Sequence, residues 1–327
     1  MRGMSLPGEV MRWAVLISAV AALISGCGGE EKLIIFHAGS LSKPMADLVE
    51  AFKRLHPEVE VQREASGSLV AARKVSELRR EADLVAVADY KVIEAILMPD
   101  YADWYVKFAG NRMVIAYTER SRYGDEINSD NWFEILARKD VRFGRSDPNM
   151  DPCGYRTLMV WQLADIYYKD RLKGRSIYET LMENCPPSNI RQGSVELLPL
   201  LESLDLDYAF EYLSVAKQHR LRYVELPREI DLSDPDLEEL YAKAQVRITG
   251  KKPGEYIVIK GSPIVYGVTI PKGAPHYDLA VDFLKLMLSE EGKRIMDENG
   301  QPPIDPPLAV GVRNMPPELR ELVRGER

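Results

Sequence analysis

Two short segments combine glycine and serine directly after a predicted strand. They are Ala38-Gly39-Ser40-Leu41-Ser42 and Ala65-Ser66-Gly67-Ser68. A glycine lets the backbone approach a ligand closely, and a serine at a helix N-terminus offers a hydroxyl beside unpaired N–H groups. Because helix N-termini carry positive partial charge, two that converge form an anion site without lysine or arginine. The two turns therefore predict an anion site, the alternative being that each serine is an ordinary N-cap.

The second set of candidates contains two carboxylates. Asp151 lies in the turn-rich stretch 147–156, where the backbone around Pro152 and Cys153 opens a predicted helix, and Glu211 ends a predicted strand. A carboxylate beside an anion is repulsive unless it coordinates the anion's central atom or caps the helix while facing away. Two such acids argue against simple sulfate or phosphate recognition, unless a proton on the ligand is recognised. They are compatible with a hexavalent tungsten or molybdenum centre that expands its coordination beyond four oxygens.

The segments that position these residues alternate between strand and helix. Residues 32–37 form a short apolar run typical of a buried parallel strand, and residues 44–55 carry an apolar face at helical spacing. The unit recurs, since 59–65 alternates as a strand, 69–80 has a helical face and 83–88 is a third strand. This alternation predicts an α/β fold with mostly parallel sheets.

The rest of the chain predicts a second lobe and a return to the first. A crossover near Tyr117 divides the fold, and a strongly apolar strand at 264–270 followed by two C-terminal helices leads back to lobe one. The predicted division is lobe one at 27–117 and 259–327, with lobe two at 118–258. Two lobes of this kind hold a ligand in a cleft at the carboxyl ends of their strands and close by a hinge, as periplasmic binding proteins do.

The N-terminal segment predicts export. Arg12 precedes an apolar run at 13–24 that is too short to span a bilayer comfortably and ends in Ser25-Gly26-Cys27. This ending resembles a lipobox, so residues 1–26 are a predicted lipoprotein signal peptide and Cys27 is the predicted lipid-bearing first residue. The alternative is an uncleaved anchor, and in both cases the rest of the chain faces outward. Either Met1 or Met11 is the start.

Charge and cysteine usage narrow the classes of partner. The 327-residue precursor carries a net charge of −7, and no basic run or basic-aromatic interleaving occurs, so nucleic acid is not an expected partner. An anion must therefore be held by local dipoles and hydrogen bonds. Cys153 and Cys185 form either a disulfide or two buried thiols, and the sequence does not favour one. The four histidines lack zinc-ligand spacing.

Several stretches resemble one family in order along the chain. They are 36–41, 65–68, 147–156, 207–212 and 262–267. In these stretches the chain resembles the archaeal-type tungstate/molybdate-binding proteins, a branch of the molybdate-binding family with the type II periplasmic-binding-protein fold. The resemblance implies the extracytoplasmic solute-binding component of an ABC importer. Its partners would be a membrane permease with its ATPase, and it would be a monomer without a cofactor, held at the outer face of the cell membrane by lipid on Cys27.

The resemblance also implies roles for individual residues. Gly39, Ser40 and Ser68 would bind the ligand's oxygens from lobe one, and the backbone around Pro152 and Cys153 would bind them from lobe two. The carboxylates of Asp151 and Glu211 would approach the metal and give it near-octahedral surroundings. A further family contact, often a tyrosine, has no match in the neighbourhood 226–229, so no residue is assigned to it.

Other functions stay open at this point. Sulfate or ferric iron is an alternative ligand, and a secreted hydrolase with Asp151 and Glu211 as its acid pair is an alternative activity, although the chain has no Gly-x-Ser-x-Gly elbow. Arg156 is either an oxyanion clamp or the partner of a nearby acid, and the ion pair is the favoured interpretation.

Overall fold

The computed structural model describes residues 32–250, 252 and 254–326, so the predicted signal peptide and Cys27 lie outside the described residues. Strands in chain order are β1 (Lys32–Ala38), β2 (Glu60–Ser66), β3 (Leu84–Val87), β4 (Tyr105–Gly110), β5 (Met113–Tyr117), β6 (Phe143–Ser146), β7 (Ile190–Arg191), β8 (Tyr208–Tyr212), β9 (Arg222–Glu225), β10 (Gln245–Thr249), β11 (Tyr256–Lys260), β12 (Val265–Thr269), β13 (Pro303–Val310) and β14 (Arg324–Gly325).

The helices are distributed around these strands. They are α1 (Ser42–Leu55), α2 (Ser68–Ser76), α3 (Trp132–Leu136), α4 (Pro152–Tyr167), α5 (Lys169–Leu172), α6 (Ile177–Asn184), α7 (Leu198–Glu202), α8 (Leu213–Gln218), α9 (Glu238–Tyr241), α10 (Tyr277–Leu288), α11 (Glu290–Glu298) and α12 (Pro317–Arg320). Among the short turns, 3-10 segments at Gly39–Leu41 and Ser194–Leu197 lead into α1 and α7. Within the described part of the chain, no helix has the length and apolar character needed to cross a bilayer.

The first lobe is built on a seven-stranded sheet ordered β14-β13-β4-β12-β3-β1-β2. Strand β1 lies between β2 and β3 and runs parallel to both, whereas β12 pairs antiparallel with β3 and β4. Strand β3 is buried along its whole length, as expected for an apolar run covered on both faces. Helix α1 buries the face that carries Met45, Leu48 and Phe52, and Phe52 packs edge-on against Phe283 of α10.

The second lobe is built on a five-stranded sheet ordered β7-β6-β8-β5-β9. Its core is aromatic: Phe210 of β8 lies among the rings of Trp132, Phe143 and Trp161, with centroids 5.4–6.3 Å away. Helix α4 runs across this core and is buried on nearly every side, which is why it is apolar without a polar stripe. The hairpin β10–β11 forms a separate two-stranded sheet that contacts α4.

The sheet topology corrects one predicted boundary and qualifies one predicted pattern. Strand β5 pairs with β8 and β9, so the chain crosses between lobes in the two residues after Gly110 and not after Tyr117. An apolar five-residue strand fits either sheet, and only its pairing partners decide which one it joins. The expectation of mostly parallel sheets holds for β1, β2 and β3, but the strands next to the crossovers pair antiparallel.

The two cysteines of the described chain are free and buried. The thiol of Cys153 lies 3.5 Å from the carbonyl oxygen of Phe210, and that of Cys185 lies 3.8 Å from the carbonyl oxygen of Phe143. The disulfide alternative is therefore wrong, because each sulfur is enclosed in its own part of the lobe-two core.

Candidate functional site

The candidate site residues of lobe one lie at one edge of its sheet because the first three strands are parallel. The carboxyl ends of β1, β2 and β3 are followed directly by Gly39, Gly67 and Ala88. Helix α2 begins at Ser68, and the turn Gly39–Leu41 leads into α1, so two helix N-termini lie at this edge, as the glycine-serine pattern predicts.

Lobe two contributes a matching edge. Strands β6 and β8 are parallel, so the start of α4 and the end of β8 lie at the same side of the sheet. Asp151 is the N-cap of α4, Pro152 and Cys153 form its first turn, and Glu211 is the fourth residue of β8. Cys153 and Glu211 are fully buried, and Asp151 is 5% exposed.

The two edges face each other in contact. A methyl group built on Gly67 would lie 2.3 Å from the carbonyl oxygen of Met150 and 3.1 Å from Cβ of Asp151. A methyl group on Gly39 would lie 3.0 Å from Cγ2 of Val195. The described structure is therefore a closed cleft, in which glycine is needed at position 67 because the backbones of the two lobes meet there.

The serines of lobe one are oriented by neighbouring donors. The backbone N–H of Ala88 donates to Oγ of Ser68 over 2.9 Å, and the hydroxyl of Tyr266 donates to Oγ of Ser40 over 3.0 Å. Both serines are buried, at 0% and 3% exposure. Since each oxygen already accepts a hydrogen bond from the protein, its own hydroxyl proton is available to an acceptor in the cleft.

Asp151 joins two loops of lobe two. Its carboxylate accepts from the backbone N–H of Cys153 at 3.5 Å and from that of Ser194 at 2.9 Å. Burial raises the pKa of Asp151 to about 6, and the Ser194 N–H opposes part of that rise. The side chain is thus a helix cap, and it lies where Gly67 of lobe one meets lobe two.

Glu211 is held in a more strongly desolvated position. Its Oε2 accepts from the backbone N–H of Tyr212 at 3.1 Å, while its Oε1 is buried with no hydrogen-bond partner among the described residues. Burial raises the pKa of Glu211 to about 8, and the nearby charge of Asp151 contributes to the rise. A buried oxygen without a hydrogen-bond partner is uncommon, and it makes Glu211 a candidate ligand-binding residue.

Ser194 lies at the candidate site and was not predicted from the sequence. It is 3% exposed, its N–H reaches Asp151, and its turn Ser194–Leu197 contacts the Gly39–Leu41 turn of lobe one. The dipeptide Gly193-Ser194 repeats the glycine-serine pattern of lobe one before a helical segment. That pattern was the signal that could have found it.

Arg156 is engaged with protein groups and not aimed at the cleft as a free clamp. Its Nη2 lies 3.0 Å from Oδ2 of Asp89, and its Nη1 donates to the carbonyl of Ala88 and the hydroxyl of Tyr212, both at 2.8 Å. The ion-pair interpretation of Arg156 is confirmed. Among the described residues, no cluster of three or more histidine, cysteine and acidic side chains is arranged to hold a metal ion.

A groove of about 540 Å³ opens beside this buried region. Its walls come from α1 of lobe one and from α7 and α8 of lobe two, including Lys43, Leu198, Glu202, Val215 and His219. The two carboxylates do not line it. It therefore lies at the rim of the closed cleft, next to Gly39.

Two α/β lobes closed over polar groups at the carboxyl ends of their strands define a two-lobed solute-binding protein with the type II periplasmic-binding fold. A model of the bacterial extracellular solute-binding proteins matches residues 33–301, and the chain belongs to that family.

Two sequence relatives and one solved structure are similar to this chain. The chain is 51% identical to an uncharacterised solute-binding protein of Petrotoga mobilis, over 90% of each chain. It is 47% identical to the molybdate/tungstate-binding protein WtpA of Pyrococcus abyssi, over 93% of this chain and 96% of the relative. The solved periplasmic molybdate-binding protein of Azotobacter vinelandii has the same fold, with a TM-score of 0.54 and 17% identity, over 83% of this chain and 98% of that one.

We predict that Gly67→Ala weakens ligand binding by blocking closure. The added methyl group meets the Met150 carbonyl only when the lobes are together, and the backbone angles of Gly67, φ −59° and ψ 144°, suit alanine. The expected result is a loss of affinity of at least about tenfold, with a free energy of unfolding without ligand within about 1 kcal/mol of the parent's. Calorimetric titration and denaturant unfolding measure the two quantities.

Gly110→Ala is the matched control. A methyl group at Gly110 has ordinary contacts, the nearest at 3.6 Å, so its affinity should equal the parent's. Equal affinities for Gly67→Ala and the parent would contradict the steric argument.

Proposed function

We propose that this protein captures tungstate or molybdate outside the cytoplasm and delivers it to an ABC importer. The observation that carries the proposal is the pair of buried carboxylates, Asp151 and Glu211, at the closed edge of lobe two. Oε1 of Glu211 has no hydrogen-bond partner within the part of the chain that the structure describes. A relative that is 47% identical over nearly the whole chain bears the name of a molybdate/tungstate-binding protein, which supports the same ligand here.

The carboxylates favour these two anions over others of the same shape. Sulfate and phosphate have saturated central atoms, so a buried carboxyl group beside them is either a repulsive charge or, when protonated, a hydrogen-bond donor. A hexavalent tungsten or molybdenum centre accepts additional oxygen ligands, and hard carboxylate oxygens suit it. In the proposal, Oε1 of Glu211 and a carboxylate oxygen of Asp151 become ligands to the metal of the bound anion.

The ligand's own oxygens would be bound by neutral donors. The hydroxyl protons of Ser40 and Ser68 are free to donate, and the N-termini that begin at Gly39 and Pro152-Cys153 add favourable partial charge. Local donors of this kind are needed because the chain, with a net charge of −7, does not attract an anion at long range. We infer that the cleft binds its ligand without transforming it, in keeping with a family of binding proteins.

The proposed cellular setting follows from the N-terminal segment and the family. Residues 1–26 would be removed as a signal peptide, and lipid on Cys27 would hold a monomer at the outer face of the membrane, near a permease and its ATPase. The proposed division has lobe one at 27–110 and from about 264 onward, which follows the sheet pairing. Capture by one lobe and closure by the other would produce the form that docks on the permease.

The first prediction of this proposal concerns which anions the protein binds. In calorimetric titrations of the protein from Gly28 onward, we expect one-to-one binding of tungstate and molybdate and none of sulfate or phosphate. The double variant Asp151→Ala, Glu211→Ala should lose at least about 100-fold in tungstate affinity, because it removes both proposed metal ligands.

Glu202→Gln serves as its control, since Glu202 lines the outer groove and should leave the affinity unchanged. Undiminished tungstate binding by the double variant would refute coordination by the carboxylates. Binding of sulfate by the parent would favour a sulfate carrier, and binding of ferric iron alone would favour an iron carrier.

The pH dependence of affinity tests coordination separately. Burial raises the pKa of Glu211 to about 8, so its side chain holds a proton in the empty closed cleft at neutral pH. Coordination requires the carboxylate, so a ligand-free molecule that has closed and taken up this proton must release it on binding. Tungstate binding should therefore strengthen as the pH rises from 6 to 8, by less than about tenfold per pH unit because in the proposal the ligand-free protein is mainly open. Glu211→Gln should flatten the profile. Affinity that weakens as pH rises would mean that Glu211 acts as a hydrogen-bond donor, contrary to the coordination model.

Lipid attachment is tested at Cys27. In cells that process lipoproteins, we expect the full-length protein in the membrane fraction with a mass increased by lipid, and Cys27→Ser in the soluble extracytoplasmic fraction. If Cys27→Ser partitions to the membrane as the parent does, the N-terminal segment is an uncleaved anchor.

A further inference from the structure

A buried ion pair joins the two lobes close to the candidate site. Asp89 follows β3 of lobe one, and Arg156 lies in the first turns of α4 of lobe two. Their side chains are 4% and 2% exposed, and the atoms that face each other, Oδ2 and Nη2, are 3.0 Å apart. An ion pair this dry is formed only where both elements are held together.

Two further contacts cross the same boundary. The hydroxyl of Tyr155 on α4 donates to Oδ2 of Asp89 at 2.6 Å, and Nη1 of Arg156 donates to the carbonyl of Ala88 at 2.8 Å. Both acceptors belong to lobe one and both donors to lobe two. Every one of these three contacts must break if the lobes separate at this edge.

The residues of these contacts also adjoin groups that orient candidate ligand-binding residues in each lobe. In lobe one, the N–H of Ala88 orients Ser68. In lobe two, Arg156 donates to the hydroxyl of Tyr212, whose N–H binds Oε2 of Glu211. The ion pair thus lies between a proposed oxygen contact and a proposed metal ligand, and it touches the backbone or side chain that orients each.

We propose that Asp89, Tyr155 and Arg156 form an interlobe latch, a set of positioning residues that fixes the closed cleft and thereby sets ligand affinity. The proposal rests on the proposed function insofar as ligand binding is coupled to closure. In an open protein, water solvates both charges, so neither charge destabilises its own lobe by much. In the closed protein the charges are desolvated and need each other, so loss of one partner penalises closure selectively.

This mechanism makes a prediction that a merely structural ion pair does not. Removal of the Asp89 charge should weaken binding and leave the stability of the ligand-free open protein nearly unchanged. A structural pair inside one lobe should do the opposite. Lobe two offers such a pair for comparison: Asp207, also buried, lies 3.2 Å from Nη1 of Arg122 at the far end of β8.

The experiment compares the parent, Asp89→Asn, Tyr155→Phe and the control Asp207→Asn, each from Gly28 onward. Tungstate and molybdate affinity is measured by calorimetry, dissociation rate by stopped-flow competition, and thermal midpoint without ligand by calorimetric unfolding. For Asp89→Asn we expect affinity to fall on the order of 100-fold, mainly through faster dissociation, with the ligand-free midpoint close to the parent's. For Asp207→Asn we expect a lower midpoint and parental affinity.

Tyr155→Phe keeps both charges and removes one hydrogen bond across the lobes, so it should weaken binding by about tenfold. It keeps the test decisive if Asp89→Asn does not fold. Affinities of Asp89→Asn and Tyr155→Phe within about threefold of the parent's would overturn the latch. Tighter binding by Asp89→Asn would also overturn it, because the carboxylate would then act by repelling the anion. Failure of the parent to bind either anion would instead refute the proposed function, so the two failures are distinct.

Discussion

The hydrogen bonds of the Asp151 carboxylate organise much of the cleft. This one side chain caps α4 through Cys153 and also fixes the N–H of Ser194, so it sets the positions of two loops of lobe two. Gly67 of lobe one packs directly against it. A buried carboxylate is tolerated only where donors compensate its desolvation, and here the donors are backbone groups at helical N-termini. The contact surface for lobe one follows from that arrangement.

Closure of the cleft then determines the electrostatics. With the lobes in contact, burial raises the pKa of Glu211 and of Asp151, so the empty site resists accumulating negative charge. Arg156, whose positive charge lowers the pKa of Asp151 slightly, is paired with Asp89. In a site of this kind, charge attraction contributes little to the binding free energy of a dianion. Binding is most favourable for a ligand whose central atom takes the place of the carboxyl protons and coordinates the carboxylates. This is the physical basis for the selectivity we propose.

The fold by itself leaves the ligand undetermined. At 17% identity, the molybdate-binding protein of Azotobacter vinelandii shares the architecture with this chain, and similarity at that level concerns only the arrangement of lobes and strands. Recognition depends on the residues that lie just beyond the carboxyl end of each strand. In this chain those positions hold small residues and hydroxyls in lobe one and carboxylates in lobe two, and the proposed function depends on them.

The sequence alone determined what depends on local chemistry. Apolar periodicity located β1, α1, β5 and α8, and the glycine-serine turns and acidic residues indicated the candidate site. It did not reveal β13, whose three prolines in Pro303–Val310 look like a loop, nor the sheet to which β5 belongs. Tertiary structure alone decided that Cys153 and Cys185 lie apart as thiols, that Ser194 joins Asp151, and that Arg156 crosses to Asp89. These facts depend on pairings between residues 32 to 67 positions apart, and local spacing contains no information about which distant partner a side chain meets.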